Sequence, residues 1–165
     1  MVIVRATKKL QQRFGVPALG DGERSTTMLG DWYATALAWR PQVALLVNGA
    51  TLLPVLMPLA PAATMLARLG AEVAAVLAAH GVPEAVIEAE REHMREHRIA
   101  AMANCRVVGV MTEFTFLADT FRAEARPDLL GLAVRLSRTP CSPLYRSHVS
   151  PDRELAALVS SRHEA

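Results

Sequence analysis

Cysteine is scarce in this 165-residue chain, which contains only Cys105 and Cys141. The two lie far apart and neither belongs to a C-x-x-C pair, which excludes a disulfide scaffold and a cysteine-rich zinc site. A secretory leader is not predicted, because the apolar run at the N-terminus is only three residues long and precedes Lys8 and Lys9. We therefore expect a cytoplasmic protein with both thiols reduced.

Lysine is limited to Lys8 and Lys9, and the net charge is only +2. A charge this small does not indicate a nucleic-acid partner. Nucleic-acid binding through Lys8, Lys9 and Arg13 is therefore only a second alternative for the function. The chain also lacks the G-x-x-x-x-G-K-[ST] and G-x-G-x-x-G loops of nucleotide-binding proteins. No cofactor is predicted.

No charged residue occurs between Arg40 and Arg68, a stretch long enough to span a bilayer. The pair Asn48-Gly49 and three prolines interrupt the stretch, and helix interiors tolerate proline poorly. Buried strands explain the stretch better, and we predict no membrane partner.

Within the uncharged stretch, Val43–Val47 and Thr51–Met57 flank Asn48-Gly49. Asn-Gly between apolar runs is the strongest short-range hairpin signal, because both residues accept the positive φ of a type I′ turn. Trp32–Trp39 predicts a preceding strand, which completes a three-strand meander. Pro54 places its strand at an edge or a bulge.

The remaining pattern predicts an α+β fold, with a small antiparallel sheet of three to five strands packed against two to three helices. Further strands are predicted over residues 2–7 and 98–102, and helices over residues 8–14, 61–79, 84–97 and 104–122. We divide the chain into an α+β core domain, 1–126, and a C-terminal helical appendage, 127–165. That peripheral tail contains a helix over 129–136 and a Ser150-Pro151-Asp152 cap before a last helix.

Three stretches carry a family resemblance: Arg5–Leu10, Leu29–Ala34 and Asn104–Phe114. Over about residues 2–122 the chain resembles a bacterial family known as domain of unknown function 6933, and 135–158 is similar to the tail of its longer members. The resemblance implies a bacterial α+β domain and no particular activity. In the family's pattern an Arg follows the Asn and another Asn precedes the acidic residue, where this chain has Cys105 and Thr112. A polar site in this helix would therefore be altered here.

The sequence His93-Met94-Arg95-Glu96-His97 fits H-x-x-E-H, in which two His four residues apart on one helix face bind zinc. The surrounding residues are charged and typical of a solvated helix, and proteases of that class are far larger. We therefore predict an exposed helix without a tight metal site.

The segment Gly30-Asp31-Trp32-Tyr33 supports either a turn ahead of a core strand or the rim of a ligand pocket with a half-exposed Trp32. On the second interpretation, polar groups from the first strand and the last core helix face the same rim. The candidate ligand-binding residues are Arg5, Lys8, Asp31, Trp32, Asn104, Arg106 and Glu113. We expect Arg5 and Asp31 to lie close enough to interact.

Two classes of function stay open. The first is a non-enzymatic binding or regulatory module for a small anionic ligand or a partner protein, because no catalytic constellation is recognisable. The alternative is a hydrolase or transferase with Asp31 or Glu113 as general base and Arg5, Lys8 or Arg106 stabilising an anion. A homodimer also stays open.

Overall fold

A computed structural model describes residues 1–125 and 128–165. The boundary predicted between residues 126 and 127 lies outside the described residues, and the two-domain division stays a prediction. The elements, in chain order, are β1 (Val2–Arg5), α1 (Lys8–Phe14), β2 (Trp32–Leu37), β3 (Val43–Asn48), β4 (Pro54–Pro58), α2 (Ala62–Ala79), α3 (Glu84–His93), β5 (His97–Ala100), α4 (Cys105–Ala125), α5 (Leu129–Ser137) and α6 (Pro151–His163).

The five strands form one sheet in the order β4-β3-β2-β1-β5. The predicted α+β fold is confirmed, but the sheet is mixed rather than purely antiparallel. β1 pairs in parallel with both β2 and β5, whereas β2, β3 and β4 form the antiparallel meander. Long connections precede β2 and β5 and carry the chain back to the end at which β1 starts, which makes parallel pairing available.

The predicted pairing of the hairpin strands is confirmed, with Val47 opposite Pro54. The predicted type I′ turn is wrong: Asn48 ends β3, and the residue with positive φ in the connection is Leu52, at 62°. The Asn48 side chain also donates hydrogen bonds to the segment that precedes β2, as described below. Pro54 begins β4 at the edge of the sheet, where a missing N–H costs no ladder bond.

Both faces of the sheet are covered at its centre, since all six residues of β3 are buried. α4 contacts β2 and β3, α2 contacts β4, and α5 contacts β4, α2 and α4. Leu132 and Leu136 of α5 belong to the same buried core as the strands. The C-terminal segment is helical, as predicted, and α6 buries Leu155 and Val159. The predicted peripheral position is wrong for α5, whose apolar side chains pack in the core. α2 is long and apolar enough to cross a membrane by length and composition, a property that core helices share, and six of its side chains are buried.

The interpretation of His93 and His97 as neighbours on one helix face is wrong. α3 ends at His93, and His97 is the first residue of β5, where it pairs with Val2. The pairing of β5 with β1 overrides the helical tendency of the charged stretch. Burial lowers the pKa of His97. Among residues 1–125 and 128–165, no group of three or more His, Cys, Asp or Glu side chains is arranged to hold a metal ion.

Candidate functional site

The candidate site lies where the parallel strands β1 and β5 end together. Arg5, the last residue of β1, lies opposite Ala100 of β5 on one side and Tyr33 of β2 on the other. α1 and α4 begin within a few residues of these strand ends. Ligand sites of α/β sheets are typically found in this position, outside the carboxyl ends of parallel strands.

Arg5 and Asp31 form an ion pair, as the sequence predicted. Arg5 Nε donates to Asp31 Oδ2 over 2.8 Å, and Arg5 Nη1 donates to the carbonyl of Ala101 over 3.1 Å. The two side chains are 21% and 26% exposed. The guanidinium is thus fixed between β2 and the segment that leads into α4, and solvent still reaches it.

Tyr33 belongs to this cluster, although it is not among the candidate residues predicted from the sequence. Residues 31 and 33 lie on one side of a strand and residue 32 on the other, because side chains alternate. Tyr33 is 4% exposed. Burial raises the pKa of the Tyr33 phenol, whose environment includes Arg5, Asp31 and the backbone of Asn104. Strand alternation was the signal that could have identified Tyr33.

Trp32 does not line this site. The half-exposed Trp32 of the ligand-pocket interpretation is wrong, and the alternative interpretation, a turn ahead of a core strand, is confirmed for Trp32. Its side chain is 0% exposed and lies on the other face of the sheet, beside its register partner Val4. Within the described part of the chain its indole N–H has no hydrogen-bond partner. Trp32 is therefore a core residue, with its large apolar surface fully buried.

Asn48 and Gly49 hold the backbone beside Asp31. Asn48 Nδ2 donates to the carbonyls of Leu29 (2.8 Å) and Asp31 (3.3 Å), and Gly49 N donates to the Asp31 carbonyl (2.9 Å). A Cβ on Gly49 would lie 3.3 Å from that carbonyl oxygen and 3.2 Å from Cε2 of Tyr33. Gly49 thus lies in the turn that follows β3, and its missing side chain lets the backbone approach Asp31 and Tyr33 closely, where a Cβ would be crowded.

A buried carboxylate fixes the preceding loop. Glu90 of α3 is 2% exposed and accepts hydrogen bonds from the backbone N–H groups of Met28 (2.7 Å) and Leu29 (3.1 Å). Burial raises the pKa of Glu90, while the two backbone hydrogen bonds act in the opposite direction. Glu90 and Asn48 thus hold the Met28–Asp31 segment from two sides, and Asp31 reaches Arg5 from a fixed backbone.

The predicted residues of α4 separate into two groups. Asn104 caps the helix, since its Oδ1 accepts from Arg106 N over 2.9 Å, and the Arg106 side chain is exposed. Glu113 lies nine residues further along, or roughly 13 Å along the helix axis. It lines a different groove, with Phe116 and Pro140. The hypothesis of a Glu113 base required Arg5, Asp31 and Glu113 to line one pocket, and they do not.

The two positions at which the family pattern is altered, Cys105 and Thr112, are both exposed on α4. Thr112 Oγ1 donates to the Val108 carbonyl over 3.1 Å.

A groove lies beyond the end of β1, beside the portion of β2 that β1 does not cover. It has a volume of about 270 Å³. Its lining contains two cationic side chains, two hydroxyls and an amide, and no carboxylate: Thr7, Lys9, Leu10, Arg13, Thr35, Ala36 and Gln42. Lys8, the lysine selected from the sequence, is exposed at the start of α1 and is not part of this lining.

The groove is partly preorganised. Arg13 Nη1 and Nη2 both donate to Gln42 Oε1, over 3.3 and 3.2 Å. A guanidinium held by a neutral acceptor retains its full charge. The lining therefore presents uncompensated positive charge beside hydroxyl donors, a combination that suits a small anion.

Comparison with known proteins supports the resemblance found in the sequence. No curated protein and no solved structure matches the chain. A family model matches residues 3–154 and therefore extends through α4, α5 and the start of α6. Because this match covers most of the 165 residues, the chain belongs to the family described as Domain of unknown function (DUF6933).

Proposed function

We propose that this protein is a non-enzymatic binding module for a small anionic ligand, which it takes up in the groove between α1 and β2, beyond the carboxyl end of β1. The observation that carries the proposal is the groove lined by Lys9 and Arg13, in which no carboxylate compensates the two cations. The ligand class is a small phosphorylated or carboxylated molecule, since a groove of about 270 Å³ is near the lower limit for ligand pockets.

The chemistry of the lining supports two kinds of contact. Lys9 supplies a point charge, while the Arg13 guanidinium can bind two oxygens of one anionic group. Thr7 and Thr35 add hydroxyl donors without charge. Arg5 lies in the neighbouring part of the sheet, where Asp31 orients it.

Binding is tested by calorimetry and thermal shift with inorganic phosphate, a dicarboxylate and a sugar phosphate as probes. A ligand that binds only the native state raises the melting temperature with concentration. Lys9→Gln and Arg13→Gln should each weaken binding about tenfold or more. Arg24→Gln is the matched control, because it removes an exposed cation outside the groove.

If no anion stabilises the wild-type protein at millimolar concentration, the proposal is wrong. Equal weakening in Arg24→Gln and Arg13→Gln would also contradict it, because the effect would then follow from net charge.

The hydrolase or transferase alternative now depends on Asp31, since Glu113 lines a different groove. Asp31 Oδ2 is engaged by Arg5 Nε, which favours a positioning role over proton abstraction. Asp31→Ala should lower the free energy of unfolding by about 1–2 kcal/mol, between the values for exposed and buried pairs. Asp31→Asn, screened with phosphate-ester and carboxylic-ester substrates against wild type, distinguishes the classes: an activity lost more than about 100-fold would favour the enzyme.

A further inference from the structure

One side of α4 faces solvent along much of its length. Its exposed residues Cys105, Gly109, Thr112 and Phe116 follow one another at intervals of three or four, which places them on one face of the helix. Phe116 is 71% exposed, and Val108, at 38%, lies beside this row. We define the row Cys105–Gly109–Thr112–Phe116 as the outer face of α4.

The centre of the outer face is open. A Cβ added to Gly109 would meet no atom within 4 Å. A second backbone can therefore approach α4 most closely at Gly109, because the separation of packed helices is set by the side chains at the contact.

The charged residues on one flank of the outer face are complementary to those of a second copy of the chain. Arg106 and Glu113 are both exposed and are seven residues apart, so they lie on the same flank, roughly 10 Å apart along the axis. That distance is too long for them to pair with each other, and within the described ranges neither side chain takes part in an ion pair.

We propose that two copies of this chain associate through the outer face of α4, with the helices antiparallel and a two-fold axis beside Gly109. In this arrangement a residue that precedes Gly109 lies opposite a partner residue that follows Gly109 by about the same number of positions. It places Arg106 of each copy opposite the partner's Glu113, so two equivalent ion pairs flank the crossing point. An isologous contact of this kind closes the assembly at a dimer.

The same symmetry covers the exposed aromatic side chain. Phe116 lies about as far beyond Gly109 as Ala103 lies before it, so each Phe116 ring packs over the segment that leads into the α4 helix of the partner. That segment ends at Asn104, which caps α4 beside Tyr33. The dimer would thereby bury the largest exposed apolar side chain on α4 near the cluster of Arg5, Asp31 and Tyr33.

Light scattering coupled to gel filtration should give twice the 17.9 kDa chain mass. Arg106→Glu and Glu113→Arg should each raise the dissociation constant of the dimer about tenfold, because each replaces two attractive contacts by repulsive ones. The double variant Arg106→Glu/Glu113→Arg should return it to near the wild-type value. A monomer at all concentrations up to about 100 µM, or a double variant weaker than either single variant, would overturn the proposal.

Cross-linking tests the register directly. In a Cys105→Ser background, Gly109→Cys places two thiols at the two-fold axis, within the Cα separation that a disulfide requires. Thr120→Cys is the matched control, since it is also exposed on α4 but roughly 16 Å from the axis. Rapid oxidation to a covalent dimer in the first variant but not in the second is expected. Equal cross-linking in both, or in neither, would contradict the antiparallel arrangement.

Discussion

Asn48 gives the sharpest stability prediction, because one buried amide connects β3 to the Asp31 loop. Its side chain is 0% exposed. Nδ2 donates to the carbonyls of Leu29 and Asp31, while Oδ1 accepts from the backbone N–H of Ala50 (3.1 Å) and of Thr51 (2.9 Å). Oδ1 also accepts from the Thr51 hydroxyl (3.0 Å). The variant to test is Asn48→Ala, which removes all five hydrogen bonds.

The magnitude depends on which groups lose their last partner. The Asp31 carbonyl keeps its bond from Gly49 N, and Ala50 is exposed, so water can replace Asn48 there. The Leu29 carbonyl, the Thr51 N–H and the Thr51 hydroxyl hydrogen are buried and lose this partner, at about 1–3 kcal/mol each. We expect Asn48→Ala to lower the free energy of unfolding by about 3 kcal/mol, and the melting temperature by roughly 6–12 °C for a chain of this size.

Urea denaturation followed by circular dichroism measures this change, with the m-value checked for constancy. Gln12→Ala is the control: it truncates an exposed amide on α1 and should alter the free energy of unfolding by less than about 0.5 kcal/mol. A loss below about 1 kcal/mol for Asn48→Ala, at unchanged m-value, would refute the argument that this amide satisfies buried backbone groups.

Three further predictions concern single residues. Burial raises the pKa of Glu90 above 4.5, so the folded state keeps this proton at pH values where the unfolded state has lost it. The free energy of unfolding should therefore fall as the pH rises from about 4.5 through the raised pKa. Glu90→Gln should flatten that slope in urea titrations at several pH values. Leu52 combines a φ of 62° with burial, so Leu52→Gly should be more stable than Leu52→Ala by about 1 kcal/mol, the reverse of the order expected in a helix. A thiol-reactive dye should modify Cys105 rapidly and Cys141 only after unfolding, since Cys105 is exposed and burial raises the pKa of the Cys141 thiol to about 11; two fast thiols in the native protein would contradict this.

Local sequence patterns predicted most helices and strands well, because the formation of these elements depends on neighbouring residues. The helix over 8–14 is confirmed to the residue, and Gly15 ends it in the left-handed conformation. The strands of the hairpin and the Arg5–Asp31 pair were also predictable, the pair because a strand end and a strand start can be neighbours in a sheet.

Features set by distant contacts were not predictable in the same way. Glu90 binds the backbone of residues 28 and 29, which lie more than sixty positions earlier, and nothing near Glu90 marks it as buried. Asn48 begins a turn, since its Oδ1 accepts from the N–H groups of Ala50 and Thr51, but the turn is not the type I′ turn that Asn-Gly predicts, and its Nδ2 donates to the distant Leu29 carbonyl. His97 joins a sheet because β1 offers it a free edge. In each case the deciding partner is far away in sequence.

The position of β1 between β2 and β5 has a consequence for the way the chain folds while it is being synthesised. One edge of β1 is completed by β2, but the other waits for residues 97–100, which leave the ribosome long after β1 does. Pairing over such a separation is slow to form, because the loop must close before any contact stabilises it. The hairpin of β3 and β4 can form early, whereas the β1–β5 pairing requires about the first hundred residues. Until then the strand that carries Arg5 presents an open edge, and this is the stage at which the nascent chain is most exposed to aggregation.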